Sequence, residues 1–261
     1  MRIRSLGWST DVRLRRLEGA QVEEREGHLV IRTNANPTYR WGNFLLFPAP
    51  PAAGDAERWL AQFQHAFPSA DYVAIGIDSP SGDLGVTDDL TAAGLSVDVD
   101  TVLTAEALLA PSRESPGAEL RRVESDEDWR KATRLRILTA EARETPAYQE
   151  FVEREMQAIR RVCERDQGAW FAAFKGAEAC SSLGVFAPSP GLARFQSVDT
   201  HPAHRRQGLA SGLLYRASEW ARRELRAKTL VIAADPNYFA IDIYRSLGFS
   251  AQDHKVHLSR E

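Results

Sequence analysis

The chain has 261 residues, of which 43% are hydrophobic and 26% are charged, as in folded proteins large enough for two ordinary domains. Its net charge of −3 gives no reason to expect nucleic acid or an anionic membrane as the main partner. No apolar run approaches the roughly 20 residues that span a bilayer, the start lacks a secretory signal pattern, and two cysteines cannot build a disulfide framework. We therefore expect a cytoplasmic protein.

The N-terminal part combines strand patterns with one clear amphipathic helix. We predict strands at residues 29–33, 43–47, 72–77 and 97–103. Between the second and third strands, Asp55 is expected to cap a helix whose apolar face carries Trp59 and Phe63.

A linker is predicted at residues 110–118, which are rich in Pro, Ser and Gly and lack an apolar period. It divides the chain into domains at 1–110 and 119–261. The second domain opens with a strand at 120–123. Ser125, with Asp128 three residues later, then marks the start of a helix that runs to about residue 143.

The rest of the second domain alternates between helices and strands. A second helix starts at Thr145-Pro146, and later helices follow Gly208 and span 237–247, with Gly248 as the stop. The predicted strands are 169–174, 179–186, 195–199, 229–234 and 251–258. The order strand, helix, apolar strand, helix, strand occurs in both halves, which indicates an internal duplication.

The segment between the strand at 195–199 and the next helix indicates a phosphate site. It contains Arg205-Arg206-Gln207-Gly208-Leu209-Ala210 and opens a helix. The first amides of a helix have no partner inside the helix, and the helix dipole adds partial positive charge. Two arginines strengthen the attraction for an anion.

The second domain resembles the GNAT superfamily of acyl-CoA-dependent N-acetyltransferases. The family signature is Gln or Arg, two residues, Gly, one residue, then Gly or Ala, and residues 205–210 match it. A second match runs from Asp235-Pro236-Asn237 through Tyr244 to Leu247-Gly248-Phe249. The resemblance implies a mixed α/β (α+β) sheet flanked by helices over roughly the last 140 residues. Together with the repeated element order, it predicts two tandem domains of which the first is degenerate. It also implies acetyl-CoA as co-substrate and an amine as acceptor.

The resemblance also assigns site residues. It places the pyrophosphate of acetyl-CoA on the loop and helix start, and the pantetheine arm on the main chain of the preceding strand. Asn237 is implied as a contact near the thiol, with a helix N-cap as the structural alternative. The implied cofactor-binding residues are Val198, Asp199, Thr200, Arg205, Arg206, Gln207, Gly208, Leu209, Ala210, Ser211 and Asn237.

Two catalytic roles are implied, and one of them is less clear from the sequence. Tyr244 is the expected acid that protonates the leaving thiolate, against the alternative of a core tyrosine. The positions where family members often carry a basic Glu are here Arg194 and Ile232. Asp199 is the nearest carboxylate and is the candidate base, against a structural role, a water chain or a weakly basic acceptor.

Several other features are expected to be structural. His201 and His204 lack ligand partners at suitable spacing, so we expect no metal. Cys180 is expected to be a buried inert thiol, and the charged run 150–161 a solvated helix face.

The N-terminal half is expected to have lost cofactor binding. Its matching strand ends in Phe47-Pro48-Ala49-Pro50-Pro51, where three prolines remove three N–H donors. This half is then a packing partner, a wall of the acceptor site or a homodimer surface. The loop at 34–43 is either a structural turn or a source of acceptor contacts.

The sequence thus predicts an N-acetyltransferase in which an amine attacks the thioester of acetyl-CoA directly. It does not name the acceptor. A non-catalytic acyl-CoA-binding module is the alternative.

Overall fold

A computed structural model describes residues 1–113, 115, 117–140 and 145–261. They form two compact units: unit 1 holds Met1–Leu103, Ala233–Tyr238 and Ala251–Glu261, and unit 2 holds Thr104–Ile232 and Phe239–Ser250. Among the described residues, no helix is both long and apolar enough to cross a bilayer.

The helices and strands follow one another in this order: α1 (Leu6–Leu17), β1 (Gln21–Arg25), β2 (His28–Arg32), β3 (Phe44–Phe47), α2 (Asp55–Ala66), β4 (Val73–Ile77), α3 (Asp88–Ala92), β5 (Ser96–Ala105), β6 (Glu119–Arg122), α4 (Asp126–Thr139), α5 (Pro146–Glu164), β7 (Gly168–Lys175), β8 (Glu178–Ser189), β9 (Leu192–Thr200), α6 (Leu209–Glu224), β10 (Thr229–Ala234), α7 (Ala240–Ser246) and β11 (Ser250–Arg260). The predicted strands are confirmed to within a few residues. α3 is the helix that the repeated element order predicts between the third and fourth strands, whereas α1 and β1 were not predicted.

Unit 1 is a mixed sheet with the strand order β1-β2-β3-β4-β11-β5. β3 and β4 are parallel, whereas β4 and β11 are antiparallel with Val256 opposite Ile77. α2 packs its apolar face on this sheet, and the Trp59 ring stacks on Phe47 with 3.8 Å between centroids. Trp8 of α1 is 1% exposed, and its Nε1 donates to the Ile77 carbonyl at 2.9 Å.

Unit 2 has the strand order β10-β9-β8-β7-β6, with helices on both faces. On α4, Trp129 lies against Trp170 of β7, with 6.5 Å between ring centroids. On α6, Trp220 lies against Phe171, which follows Trp170 in β7, with 5.8 Å between ring centroids. Since consecutive side chains of a strand point to opposite faces, α4 and α6 cover opposite faces of this sheet.

Two predicted helix starts of unit 2 are confirmed in detail. Ser125 Oγ accepts from the Asp128 amide at 3.1 Å, and Thr145 Oγ1 accepts from the Tyr148 amide at 3.2 Å. Both are N-caps that satisfy an otherwise unpaired amide. The first of these helices ends at Thr139, and the end predicted near residue 143 lies outside the described residues.

Two predicted helix starts are wrong. Asp55 is the first residue of α2, and the N-cap is Gly54, which has a φ of +85°. α7 begins at Ala240 rather than at residue 237, because Asn237 lies in a turn in which its amide donates to Asp235 Oδ1 at 2.8 Å.

The two units do not follow the predicted boundaries along the whole chain. The predicted second domain, 119–261, includes β11, but residues 251–261 group with unit 1. Within the predicted linker, Glu114 and Pro116 lie outside the described residues. The element order β1-β2-β3-α2-β4-α3-β5 matches β7-β8-β9-α6-β10-α7-β11, as the predicted repeat requires.

Candidate active site

β9 separates from β10 in the middle of unit 2. The parallel pairing joins residues 192–194 to residues 229–231, yet β9 continues to Thr200. Between Gly184↔Gln196 and Ser182↔Asp199, β9 has one extra residue, and Ser197 in this bulge has a φ of +54°. A bulge bends its strand and increases the twist, so the second half of β9 leaves an open edge.

The main-chain groups of residues 198–200 point alternately towards β8 and towards the open edge of β9. Ser181 Oγ donates to the Asp199 carbonyl at 2.8 Å, on the β8 side. Since the polar groups of consecutive strand residues point to alternate edges, those of Val198 point away from β8. The Thr200 carbonyl accepts from Arg205 Nε at 3.4 Å. Val198 therefore offers its amide and carbonyl at the open edge.

The loop after β9 presents backbone amides at the start of α6. Arg206 and Gly208 both have left-handed backbone, with φ of +61° and +77°. The first helical bond runs from the Gly212 amide to the Gly208 carbonyl at 2.9 Å. The amides of Leu209, Ala210 and Ser211 thus precede the helical ladder and are available to an anion.

Four cationic side chains lie in this loop or contact it. Arg205 and Arg206 belong to it, Lys175 Nζ donates to Gln207 Oε1 at 2.6 Å, and Arg113 Nη1 donates to the Arg206 carbonyl at 3.3 Å. No acidic residue occupies the first turn of α6. These amides and charges fit a diphosphate. No local pattern pointed to Lys175 or Arg113, because their contacts join distant parts of the chain.

Asp199 of β9 belongs to a group of three charged side chains, together with Arg136 of α4 and Glu155 of α5. Arg136 Nη1 lies 3.3 Å from Asp199 Oδ2, and its Nη2 lies 2.7 Å from Glu155 Oε2. The side chain of Asp199 is 25% exposed, whereas those of Arg136 and Glu155 are 11% and 6% exposed. The expectation of a solvated face over 150–161 is therefore wrong at Glu155.

Burial changes the proton affinity of Asp199. It raises the pKa of this carboxyl from 3.8 to about 6, and the neighbouring Glu155 charge adds to the rise. The Arg136 charge and a hydrogen bond from Thr139 oppose it. A carboxylate with a pKa near 6 is ionised at neutral pH and still basic enough to accept a proton.

Tyr244 is buried on α7 and is linked to β9 through aromatic rings. It is 5% exposed, and its ring packs edge-on against Phe249 at 6.3 Å between centroids. Phe249 packs in the same manner against Phe195 of β9 at 6.1 Å. Phe249 thus lies between Tyr244 and the strand that carries Asp199.

The remaining predicted residues have other environments. Asn237 is an exposed turn residue of unit 1, so it is not a helix N-cap. Arg194 and Ile232 are buried, at 3% and 2% exposed. Cys180 is 1% exposed, and burial raises the pKa of its thiol, as expected for an inert cysteine. In the described part of the chain, no three His, Cys, Asp or Glu side chains are grouped to hold a metal.

Unit 1 has a similar helix start, but a carboxylate lies there. Gly54 before α2 is left-handed, as Gly208 is before α6. In unit 1, however, Asp55 Oδ2 accepts from the Ala52 amide at 2.9 Å, so a carboxylate occupies the helix start. A negative group there repels phosphate.

The parallel strands of unit 1 also stay closed. β3 and β4 pair up to Phe47↔Ile77, and the Asp78 amide then donates to the Phe47 carbonyl at 2.8 Å. Beyond that point, Arg4 Nη2 donates to the carbonyls of Pro48 and Asp78 at 2.8 and 2.5 Å.

The loop at 34–43 is a hydrogen-bonded turn of unit 1. Asn43 Oδ1 accepts from the Thr33 amide at 2.8 Å, and its Nδ2 donates to the carbonyls of Asn36 and Tyr39 at 2.9 Å each. Both Asn36 and Asn43 are buried, at 3% exposed. These contacts support the structural alternative.

Comparison with known proteins supports the family resemblance of the second half of the chain. Residues 127–249 match the acetyltransferase (GNAT) family. A search of curated protein sequences finds no significant match.

Solved structures share the fold of the whole chain. A GCN5-related N-acetyltransferase from Kribbella flavida is 17% identical, with a TM-score of 0.65, and the match covers 98% of this chain and 96% of that one. A functionally unknown conserved protein from Staphylococcus epidermidis is 13% identical, with a TM-score of 0.71, covering 93% and 94%. A tandem GNAT protein from the clavulanic acid biosynthesis pathway is 15% identical, with a TM-score of 0.54, covering 93% and 83%.

Proposed function

Because residues 127–249 form a domain of the acetyltransferase (GNAT) family, we propose that this protein transfers the acetyl group of acetyl-CoA to an amine. The observation that carries the proposal is the pairing of an open β9 edge with a cationic helix start. The first suits an extended amide-bearing arm, and the second suits a diphosphate. Two unpaired thiols, Cys163 and Cys180, support a cytoplasmic location.

The binding part of the mechanism uses mainly main-chain groups. The amides of residues 206–211 would hold the pyrophosphate of acetyl-CoA, with Arg205, Arg206 and Gln207 around it. The amide and carbonyl of Val198 would hold the pantetheine arm as an added strand does. Asn237 stays a proposed contact, through its exposed side chain.

The chemical part needs two proton transfers. The amine nitrogen attacks the thioester carbonyl carbon, the C–N bond forms and the C–S bond breaks. Asp199 would accept the proton that the amine nitrogen loses, and Tyr244 would donate its hydroxyl proton to the leaving thiolate. An amine with a pKa near 10.4 needs such a base because most of it is protonated at neutral pH.

A single acetyl-CoA site per chain is part of the proposal. Unit 1 keeps the repeat but has Asp55 at its helix start and Arg4 across its strand ends. Calorimetric titration of the full chain with acetyl-CoA should give one molecule bound per chain. Two equal sites would contradict this assignment of unit 1.

The transfer itself is tested by release of thiol from acetyl-CoA in the presence of an acceptor panel. The panel should include amino acids, polyamines, aminoglycosides, peptides with free N-termini and lysine-containing proteins. At least one acceptor is expected to give an acetylated product and an equal amount of free CoA. Tight acetyl-CoA binding with no product from any acceptor would favour a non-catalytic acyl-CoA-binding module instead.

A further inference from the structure

A cavity in unit 1 lies between α1 and the β1–β2 hairpin, apart from the site described above. Its volume is about 490 Å³. Small-molecule sites fall in the range of roughly 300–1,000 Å³. The cavity is therefore large enough for a small organic molecule.

The walls of this cavity carry an excess of positive charge. Arg2 from the first residues and Arg13 and Arg16 from α1 line it, together with Glu24 as its one carboxylate. Glu24 pairs with the Met1 amino group. Within the described parts of the chain, Arg2, Arg13 and Arg16 form no ion pair. Three arginines thus line a cavity whose one carboxylate is already paired with the Met1 amino group.

Two of the arginines of α1, Arg13 and Arg16, lie close together on the helix surface. Arg13 and Arg16 are three residues apart, so they lie on the same side of the helix. Arg15 is directed elsewhere: its Nη1 lies 2.7 Å from Glu18 Oε2, and both side chains are buried. On α1, the exposed pair Arg13 and Arg16 is therefore available to a ligand in the cavity.

Part of the cavity wall is apolar. Val12 and Leu29 line it but are only 2% and 5% exposed, so the apolar surface that a ligand can reach belongs to Ile3 and Val22, which are partly buried residues packed on the core. An inorganic anion would leave this surface in contact with water. A ligand with a short hydrocarbon part would cover it.

We propose that this cavity binds a small amphipathic carboxylate. The carboxylate contacts the guanidinium groups of Arg13 and Arg16, which can donate in pairs to its two oxygens, and the hydrocarbon part lies on Ile3 and Val22. The site is separate from the acetyl-CoA site and does not rest on it.

Octanoate is a suitable probe, titrated into the full-length protein with methyl-labelled Ile and Val. The methyl signals of Ile3 and Val22 should shift in a saturable manner, and higher salt should weaken binding because the arginines are exposed. The double variant Arg13→Ala/Arg16→Ala should bind at least about tenfold more weakly. Arg58→Ala, which removes an exposed arginine of α2, is the control and should bind like the wild type.

Inorganic phosphate tests the apolar part of the proposal, and it should bind more weakly than octanoate. Absence of saturable shifts with octanoate, or equal binding by the double variant and the wild type, would overturn the site. Equal affinity for phosphate and octanoate would overturn its amphipathic character.

Discussion

Asp199 and Arg136 form an ion pair on the α4 face of unit 2, with 3.3 Å between Oδ2 and Nη1. The same guanidinium also contacts Glu155, so one positive charge is shared between two carboxylates. Burial and this incomplete neutralisation leave Asp199 with a pKa of about 6, far above the ordinary aspartate value. This property makes Asp199 the best base candidate among the predicted residues.

Asp199→Asn should abolish most of the transfer without removing acetyl-CoA binding. In the wild type, kcat/KM should rise with pH through about 6, because Asp199 accepts a proton only in its ionised form. The variant should lose this limb and about a hundredfold or more in rate, as measured by thiol release. Its calorimetric affinity for acetyl-CoA should stay within about twofold. A retained acid limb in the variant would exclude Asp199 as the base.

Glu155→Gln should move the acid limb of the pH–rate profile to lower pH. Glu155 raises the pKa of Asp199 by charge repulsion, so its neutral isostere lowers that pKa. A purely structural role for Glu155 would change the rate without moving the limb. Glu153→Gln on the same helix is the control, since Glu153 is exposed, and its profile should match the wild type.

The stability of the protein should record the same pKa shift. Between 3.8 and about 6, the folded Asp199 holds a proton that the unfolded chain has lost. Its contribution to the free energy of unfolding is therefore largest below pH 4 and decreases as pH rises through this window. Urea unfolding at several pH values should show this decrease in the difference between the free energies of unfolding of the wild type and Asp199→Asn. Parallel curves for the two proteins would contradict the raised pKa.

Gly208→Ala should weaken acetyl-CoA binding more than its effect on stability explains. Gly208 has a φ of +77°, and a left-handed alanine costs about 1–2 kcal/mol. Gly191→Ala, in the β8–β9 turn, is a matched control, because Gly191 has a φ of +78° and a Cβ atom there would meet no other atom within 4 Å. Both variants should lose similar stability in urea, but only the Gly208 variant should lose affinity for acetyl-CoA in calorimetry.

Tyr244→Phe should reduce kcat while leaving acetyl-CoA affinity close to that of the wild type. The phenyl ring keeps the packing on Phe249, and the change removes only the hydroxyl that would protonate the thiolate. A loss of about tenfold to a hundredfold is expected in thiol release. Tyr215→Phe on α6 is the control and should be silent. Unchanged kcat for Tyr244→Phe would assign that tyrosine to the core alone.

Much of the fold of unit 2 could be predicted because its determinants are local. The strand at 229–234, the N-caps Ser125 and Thr145, and the loop at 205–210 are each specified by a few consecutive residues. α1 was missed although Ser5 caps its first turn, and its Trp8 is held by a hydrogen bond to the distant Ile77 carbonyl. The helix expected from Asn237 failed because Asp235 forms a competing turn with its amide.

The sequence alone determined that one basic, glycine-containing loop opens a helix after a strand, and that prolines follow the matching strand of the first repeat. Only the tertiary structure decided that Arg136 meets both Asp199 and Glu155, which lie 63 and 19 residues away from it in the chain. It also decided that β11 pairs with β4. Local patterns identify elements, but a strand pattern does not name its partner, and contacts between charged side chains depend on how helices pack on a sheet.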